Sequence, residues 1–128
     1  MSEQNIATVK KVDAAFANNN IEDFFNECVE NVEWTMAGEQ PVKGLSAIRE
    51  WMKQMEGCEP PAINNHKMIA DNGSVAAYGD MSMKNKDGEA EVFDYCDLYD
   101  FNEDGKITKL ISFVIKKKPH DAENIAAA

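Results

Sequence analysis

The chain has 128 residues, 44% hydrophobic and 28% charged, with a formal charge of −10. That length and balance predict one globular domain over residues 1–128. The acidity argues against nucleic acid as a partner, because phosphate backbones demand basic patches and Lys116-Lys117-Lys118 is too short a run to supply one.

In chain order, Ser2 caps a first predicted helix whose Ile6, Val9, Val12 and Phe16 follow helical spacing. Asn18-Asn19-Asn20 breaks it. A second helix is predicted to carry Ile21, Phe24, Phe25 and Cys28 on one stripe, at i, i+3, i+4 and i+7. Val32 to Thr35 reads as a short strand, followed by a loop with Gly38, Pro41 and Gly44. A third helix turns Leu45, Ile48, Trp51, Met52 and Met55 inward and stops at Gly57.

Beyond Pro60-Pro61 the chain reads as strands. Residues 64–70 and 74–84 flank Asp71-Asn72-Gly73, a hairpin signal because Asn-Gly tolerates positive φ at both central positions. Lys86-Asp87-Gly88 and Asn102 to Gly105 mark the next two turns. Three helices followed by an antiparallel meander predict an α+β fold, with the helices packed on one face of a curved sheet.

The stretch VFDYCDLYDF, residues 92–101, holds three aspartates spaced by three. Strand side chains alternate faces with a period of two. Phe93, Tyr95, Tyr99 and Phe101 therefore share one face, and Asp94 and Asp100 take the other with Cys96 and Leu98. Asp97 alone falls among the aromatics. A carboxyl there loses hydration in its charged form, so its pKa should rise and suit it to acid–base work. The alternative is a structural aspartate bonded to a tyrosine or to the third helix.

Cys28, Cys58 and Cys96 are odd in number and lack metal-ligand spacing, which suggests free thiols in a reducing compartment. The amino terminus has no apolar signal region, and no apolar run approaches a membrane span. A cytoplasmic protein without membrane contact is expected. No metal site is expected either, since the sequence shows no paired carboxylates with a defensible metal geometry.

The order of elements resembles the nuclear transport factor 2-like superfamily, and within it the SnoaL-like and ketosteroid isomerase-like proteins. The stretches PVKGLSAIREWM, residues 41–52, and FDYCDLYDFNEDGKITKLISF, residues 93–113, carry the likeness. The resemblance implies a mostly antiparallel sheet enclosing a conical pocket, a homodimer through the outer sheet face, and a small hydrophobic ligand. It implies no cofactor. Asp97 matches the acid of the isomerase oxyanion hole. The isomerase base should follow Val32-Glu33, but Trp34 stands there, and the first helix has no oxyanion tyrosine. The steroid-isomerase mechanism is therefore not supported.

His66 is the second catalytic candidate. A two-residue turn at Asn72-Gly73 would pair Asp71 with Ser74, Met68 with Ala77 and His66 with Gly79, and cross-strand partners share a face. The resemblance turns Ala77, Gly79, Met81 and Met83 to the pocket, and His66 with them. A histidine at the sheet edge facing solvent is the alternative. Trp34, Trp51, Met55, Met81, Phe93, Tyr95, Tyr99, Leu110 and Ser112 are expected to line the pocket or to pack as ordinary core. In the last hairpin, a four-residue loop would pair Asp97 with Leu110 and bring Ser112 and Val114 inward. A three-residue loop with a glycine bulge would bring Ile111 and Phe113 inward instead, and the resemblance favours the four-residue loop.

The function expected from this pattern is cofactor-independent proton transfer on a small hydrophobic carbonyl or hydroxyl compound, of isomerase, cyclase or dehydratase type. Asp97 would act as general acid or base, or as oxyanion donor, assisted by His66 and a tyrosine hydroxyl. A non-catalytic binding or sensing domain using the same pocket is the rival.

Overall fold

The computed structural model describes residues 2–55, 59–85 and 87–118, without the Met55 side chain. Gly57 as helix stop, Cys58, Lys86, His120 and the alanine tail lie outside the described residues. The elements are α1 (Ser2–Ala17), α2 (Ile21–Phe25), β1 (Cys28–Met36), β2 (Val42–Lys43), α3 (Leu45–Met52) with a 3-10 turn over Lys53–Met55, β3 (Ala62–Asp71), β4 (Ser74–Lys84), β5 (Ala90–Phe101) and β6 (Ile107–Lys116).

The strands form one six-stranded sheet in the order β2-β1-β6-β5-β4-β3. Every pairing is antiparallel except β1 with β6, so the sheet is mixed, and it does not close. Helix α1 packs on β3 and β4, and α3 on β1 and β2. The predicted α+β arrangement of three helices on a largely antiparallel sheet is the observed one.

Helix α1 ends where Asn19 adopts φ +56°, a left-handed conformation that Asn tolerates. Helix α2 is shorter than its apolar stripe suggests. It stops at Phe25, and Cys28 opens β1 instead of closing the helix. The run from Val29 to Thr35, with its β-branched Val29, Val32 and Thr35, extends better than it coils. Strand β2 was not anticipated. It pairs Lys43 with Glu33 and Val42 with Trp34, and a Lys43–Glu33 ion pair of 3.5 Å sits on it.

One end of the core is aromatic. Trp34 lies at its centre, with ring centroids 5.7 Å from Phe16, 5.4 Å from Phe24 and 5.1 Å from Trp51. These rings come from α1, α2, β1 and α3 and so fasten all three helices to the sheet. Arg49 adds a clasp by pairing with Glu22 across α3 and α2 while lying 4.4 Å over the Phe25 ring.

The turns follow the predicted chemistry. Asn72 and Gly73 both have positive φ, at 50° and 78°, and pair Asp71 with Ser74. In the loop after β5, the side chain of Asn102 accepts the amides of Asp104 and Lys106. Asn85 holds the amides of Asp87 and Glu89 in the same way in the loop before it.

The last hairpin settles the open register. Its tip pairs Phe101 with Ile107, one residue beyond a four-residue loop, and a bulge then adds one more. Asp97 therefore opposes Ser112, which corrects the expected pairing with Leu110. Two single-residue shifts leave the period of two unchanged, so Leu110, Ser112 and Val114 still face inward.

Candidate active site

Alternation along β5 buries Tyr95 and Tyr99, leaves Asp97 half-buried between them, and exposes Asp94 and Asp100. Asp97 is flanked by Ala77 on β4 and Ser112 on β6. Ala77 is buried and contributes only a methyl, so it offers the carboxyl no polar partner. Ser112 is buried, and its Oγ accepts the Trp34 indole N–H at 3.0 Å. Burial pushes the Asp97 carboxyl up to about 7, against a hydrogen bond from the Ser112 hydroxyl, and the negative charge of Asp13 adds to the rise.

Asp13 was missed in the sequence. It lies on α1 with Ile6, Val9 and Phe16, and Asn65 Nδ2 donates to its Oδ2 at 2.7 Å. Burial raises its pKa to about 6, partly offset by that bond. The signal was present: residues 6, 9, 13 and 16 form a helical stripe in which one member is a carboxylate.

Asn65 owes its place to a β-bulge. The β3–β4 register shifts between Asn65 and Lys67, so Asn65, not His66, opposes Gly79. This corrects the expected inward position of His66. Its Nε2 lies 2.6 Å from Asp80 Oδ2 and its ring 5.8 Å from that of Tyr78, two side chains of the outer sheet face. The space expected beside Gly79 is filled by main chain: a Cβ there would lie 2.0 Å from the Asn64 carbonyl oxygen.

An open groove of about 500 Å³ runs between α1 and β3, with Ile6, Lys10, Asp13, Asn65, His66 and Met68 along it. Among the expected lining residues, Tyr95, Tyr99, Leu110 and Ser112 are buried on the inner face and Trp34 sits in the aromatic cluster against Trp51. Met81 and Phe93 oppose one another further along β4 and β5 and are half-buried. The Met55 side chain lies outside the described residues.

Three side-chain atoms on this face are buried without a partner among the described residues: Asn65 Oδ1, Tyr95 OH and Tyr99 OH. Each unsatisfied group costs on the order of 1–3 kcal/mol. Burial and the negative charges of Asp13 and Asp97 raise both phenols well above their ordinary pKa, so both stay protonated. The cluster thus holds two carboxyls that titrate near neutrality and two hydroxyls able to donate. Both carboxyls are raised toward neutrality, where either can hold or release a proton.

Fold and inward carboxyl together define an α+β domain of the nuclear transport factor 2-like class. The sequence matches the SnoaL-like domain over residues 9–110, and the chain belongs to that family. No curated protein matches it. Among solved structures, a candidate SnoaL-like polyketide cyclase from Jannaschia sp. CCS1 superposes with a TM-score of 0.79 at 12% identity, covering 99% of this chain and 92% of that one. SalBIII, an epoxide hydrolase/cyclase-like enzyme with a role in pyran ring formation in the polyether salinomycin, gives 0.79 at 19% identity, over 88% and 91%. An epoxide hydrolase from M. tuberculosis gives 0.77 at 15% identity, over 88% and 84%. At these identities the likeness is one of fold.

Proposed function

We propose that the chain is a SnoaL-like enzyme that moves protons on a small hydrophobic compound bearing a carbonyl or hydroxyl group. The observation that carries this is the pair of inward carboxyls, Asp97 and Asp13, held at about 7 and about 6 by burial. Asp97 supplies the acid and Asp13 the base, and Tyr95 and Tyr99 offer hydrogen bonds to a developing oxyanion. Two carboxyls repel an anion, so the reacting end of the ligand carries no negative charge. The polyketide cyclase and epoxide hydrolase descriptions among the structural neighbours are compatible with this chemistry.

The test is turnover of a panel of hydroxy-ketones and epoxides by the wild type, Asp97→Asn and Asp13→Asn. Loss of at least about 100-fold in either variant is expected, the usual worth of a general acid or base. Affinity without turnover across the panel would replace the enzyme with a binding module. That rival draws on Trp34, a residue without proton chemistry where the isomerase-like base is expected.

The same proposal extends to a homodimer. Ile69, Tyr78, Val92, Leu98, Phe113 and Ile115 are exposed on the outer sheet face, more apolar surface than a solvated sheet needs. Sedimentation should give twice 14.3 kDa for the wild type and 14.3 kDa for Phe113→Asp/Ile115→Lys. A monomeric wild type would remove the dimer. Cys28 and Cys96 are free, and burial pushes the Cys28 thiol up to about 12, which suits an inert thiol in a reducing cytoplasm. No described helix is long and apolar enough to cross a membrane.

A further inference from the structure

The Trp34 indole N–H donates to Ser112 Oγ at 3.0 Å in a buried setting. An indole nitrogen only donates, so the serine oxygen must accept there, and its own proton is left for another acceptor. Asp97, the cross-strand partner of Ser112, is placed to be that acceptor, and the Ser112 hydroxyl acts to lower its pKa against burial. Trp34 is itself pinned by Phe16, Phe24 and Trp51 and pairs across the sheet with Leu110 on β6. The direction of the hydrogen bonds is therefore set at the rigid end, in the aromatic core, and handed outward to the carboxyl.

We propose that Trp34 and Ser112 form a positioning relay that aims a hydroxyl proton at Asp97, fixing the orientation of its carboxyl and favouring its charged form. Neither residue reacts. The relay opposes burial and the charge of Asp13 from α1, which both favour the neutral carboxyl, while Tyr95 and Tyr99 on its own strand are protonated phenols without charge. Ala77, its partner on β4, cannot ionise. Without Trp34, Ser112 could turn round and accept from a protonated Asp97 instead, which would favour the neutral carboxyl. The relay matters to activity only if Asp97 is the acid proposed above, but its test reads Asp97 without turnover.

The experiment is an NMR titration of the Asp97 carboxyl carbon in the full chain, with the Trp34 indole proton followed in the same samples. Ser112→Ala should raise the Asp97 midpoint by about one pH unit, the ordinary effect of losing a hydrogen bond to the charged form. Ser112→Thr, which keeps the hydroxyl, should restore it. Trp34→Phe should raise the midpoint when Ser112 is present and leave it unchanged in the Ser112→Ala background. In the wild type the indole proton should titrate with Asp97, and in Ser112→Ala it should not. This last comparison needs no Trp34 variant and decides the tryptophan's part even if Trp34→Phe does not fold. An unchanged midpoint in Ser112→Ala, or an indole proton indifferent to Asp97, overturns the relay. An intact relay in a chain that turns nothing over would remove the enzymatic proposal and leave this one.

Discussion

Asp97→Asn is expected to be more stable than the wild type at pH 8, by on the order of 2 kcal/mol, and catalytically dead. The carboxyl titrates near 7 in the fold against an ordinary 3.8. A raised carboxyl favours the fold in its neutral form. Its contribution is therefore intact below about pH 4 and lost as pH rises through about 7. The full gap corresponds to on the order of 4 kcal/mol, and solvent reaching a half-buried group reduces it. Asparagine carries no charge to desolvate. Thermal melts should show little difference between variant and wild type at pH 4, a gap opening between pH 4 and 7, and a plateau above. An equal gap at pH 4 and pH 8 would mean that packing, not ionisation, is responsible. Asp13→Asn should behave alike with its window closing near pH 6, and it should also lower the Asp97 midpoint by removing a neighbouring charge. Stabilisation at the expense of turnover is what a strained functional group predicts and a structural aspartate does not.

Asp97 could be found in the sequence because strand parity is insensitive to most errors. The pairing of Asp97 moved by two residues between expectation and structure, from Leu110 to Ser112, yet the inward residues of β5 and β6 stayed inward. An even shift cannot flip a strand. The same tolerance made the α+β fold legible, since hairpin positions and apolar periods fix layers without fixing exact partners.

What stayed hidden depends on a single residue of phase or on a contact between distant elements. The bulge in β3 exchanges Asn65 for His66, and nothing within residues 62–71 marks it. The backbone it displaces packs against Gly79 on the neighbouring strand, where a side chain would collide with it. Asp13 was hidden differently. Its helical stripe reads as apolar from Ile6, Val9, Val12 and Phe16, and the partner that singles out Asp13, Asn65, lies 52 residues away. The parity argument applied to β5 would have found it if repeated at the helical period. Strand β2 was too short to leave a periodic trace.

Gly79→Ala is expected to destabilise the protein by about 3 kcal/mol, well above an ordinary glycine-to-alanine change in a strand. The added Cβ would lie 2.0 Å from the Asn64 oxygen and 3.0 Å from Asn65 Cα, both main-chain atoms of the bulge that cannot swing aside. Conformation is not the obstacle, since Gly79 lacks the positive φ that marks other glycines of the chain. The cost is one of space, so it should vanish when the intruding backbone is removed. Deleting His66 takes out the extra residue, leaving Asn65 inward, Lys67 outward and Met68 inward on a regular strand. In that background Gly79→Ala should cost less than about 1 kcal/mol by urea denaturation. Equal costs in both backgrounds would show that the bulge is not what Gly79 accommodates. The site should respond as well. If alanine expels the bulge in an otherwise intact chain, the register slips by one and His66 replaces Asn65 opposite position 79. Asp13 then loses the hydrogen bond that holds its pKa down, and its midpoint should rise above about 6. A glycine on β4 would thus set the protonation of a carboxyl on α1, because the backbone it admits delivers the amide that binds there.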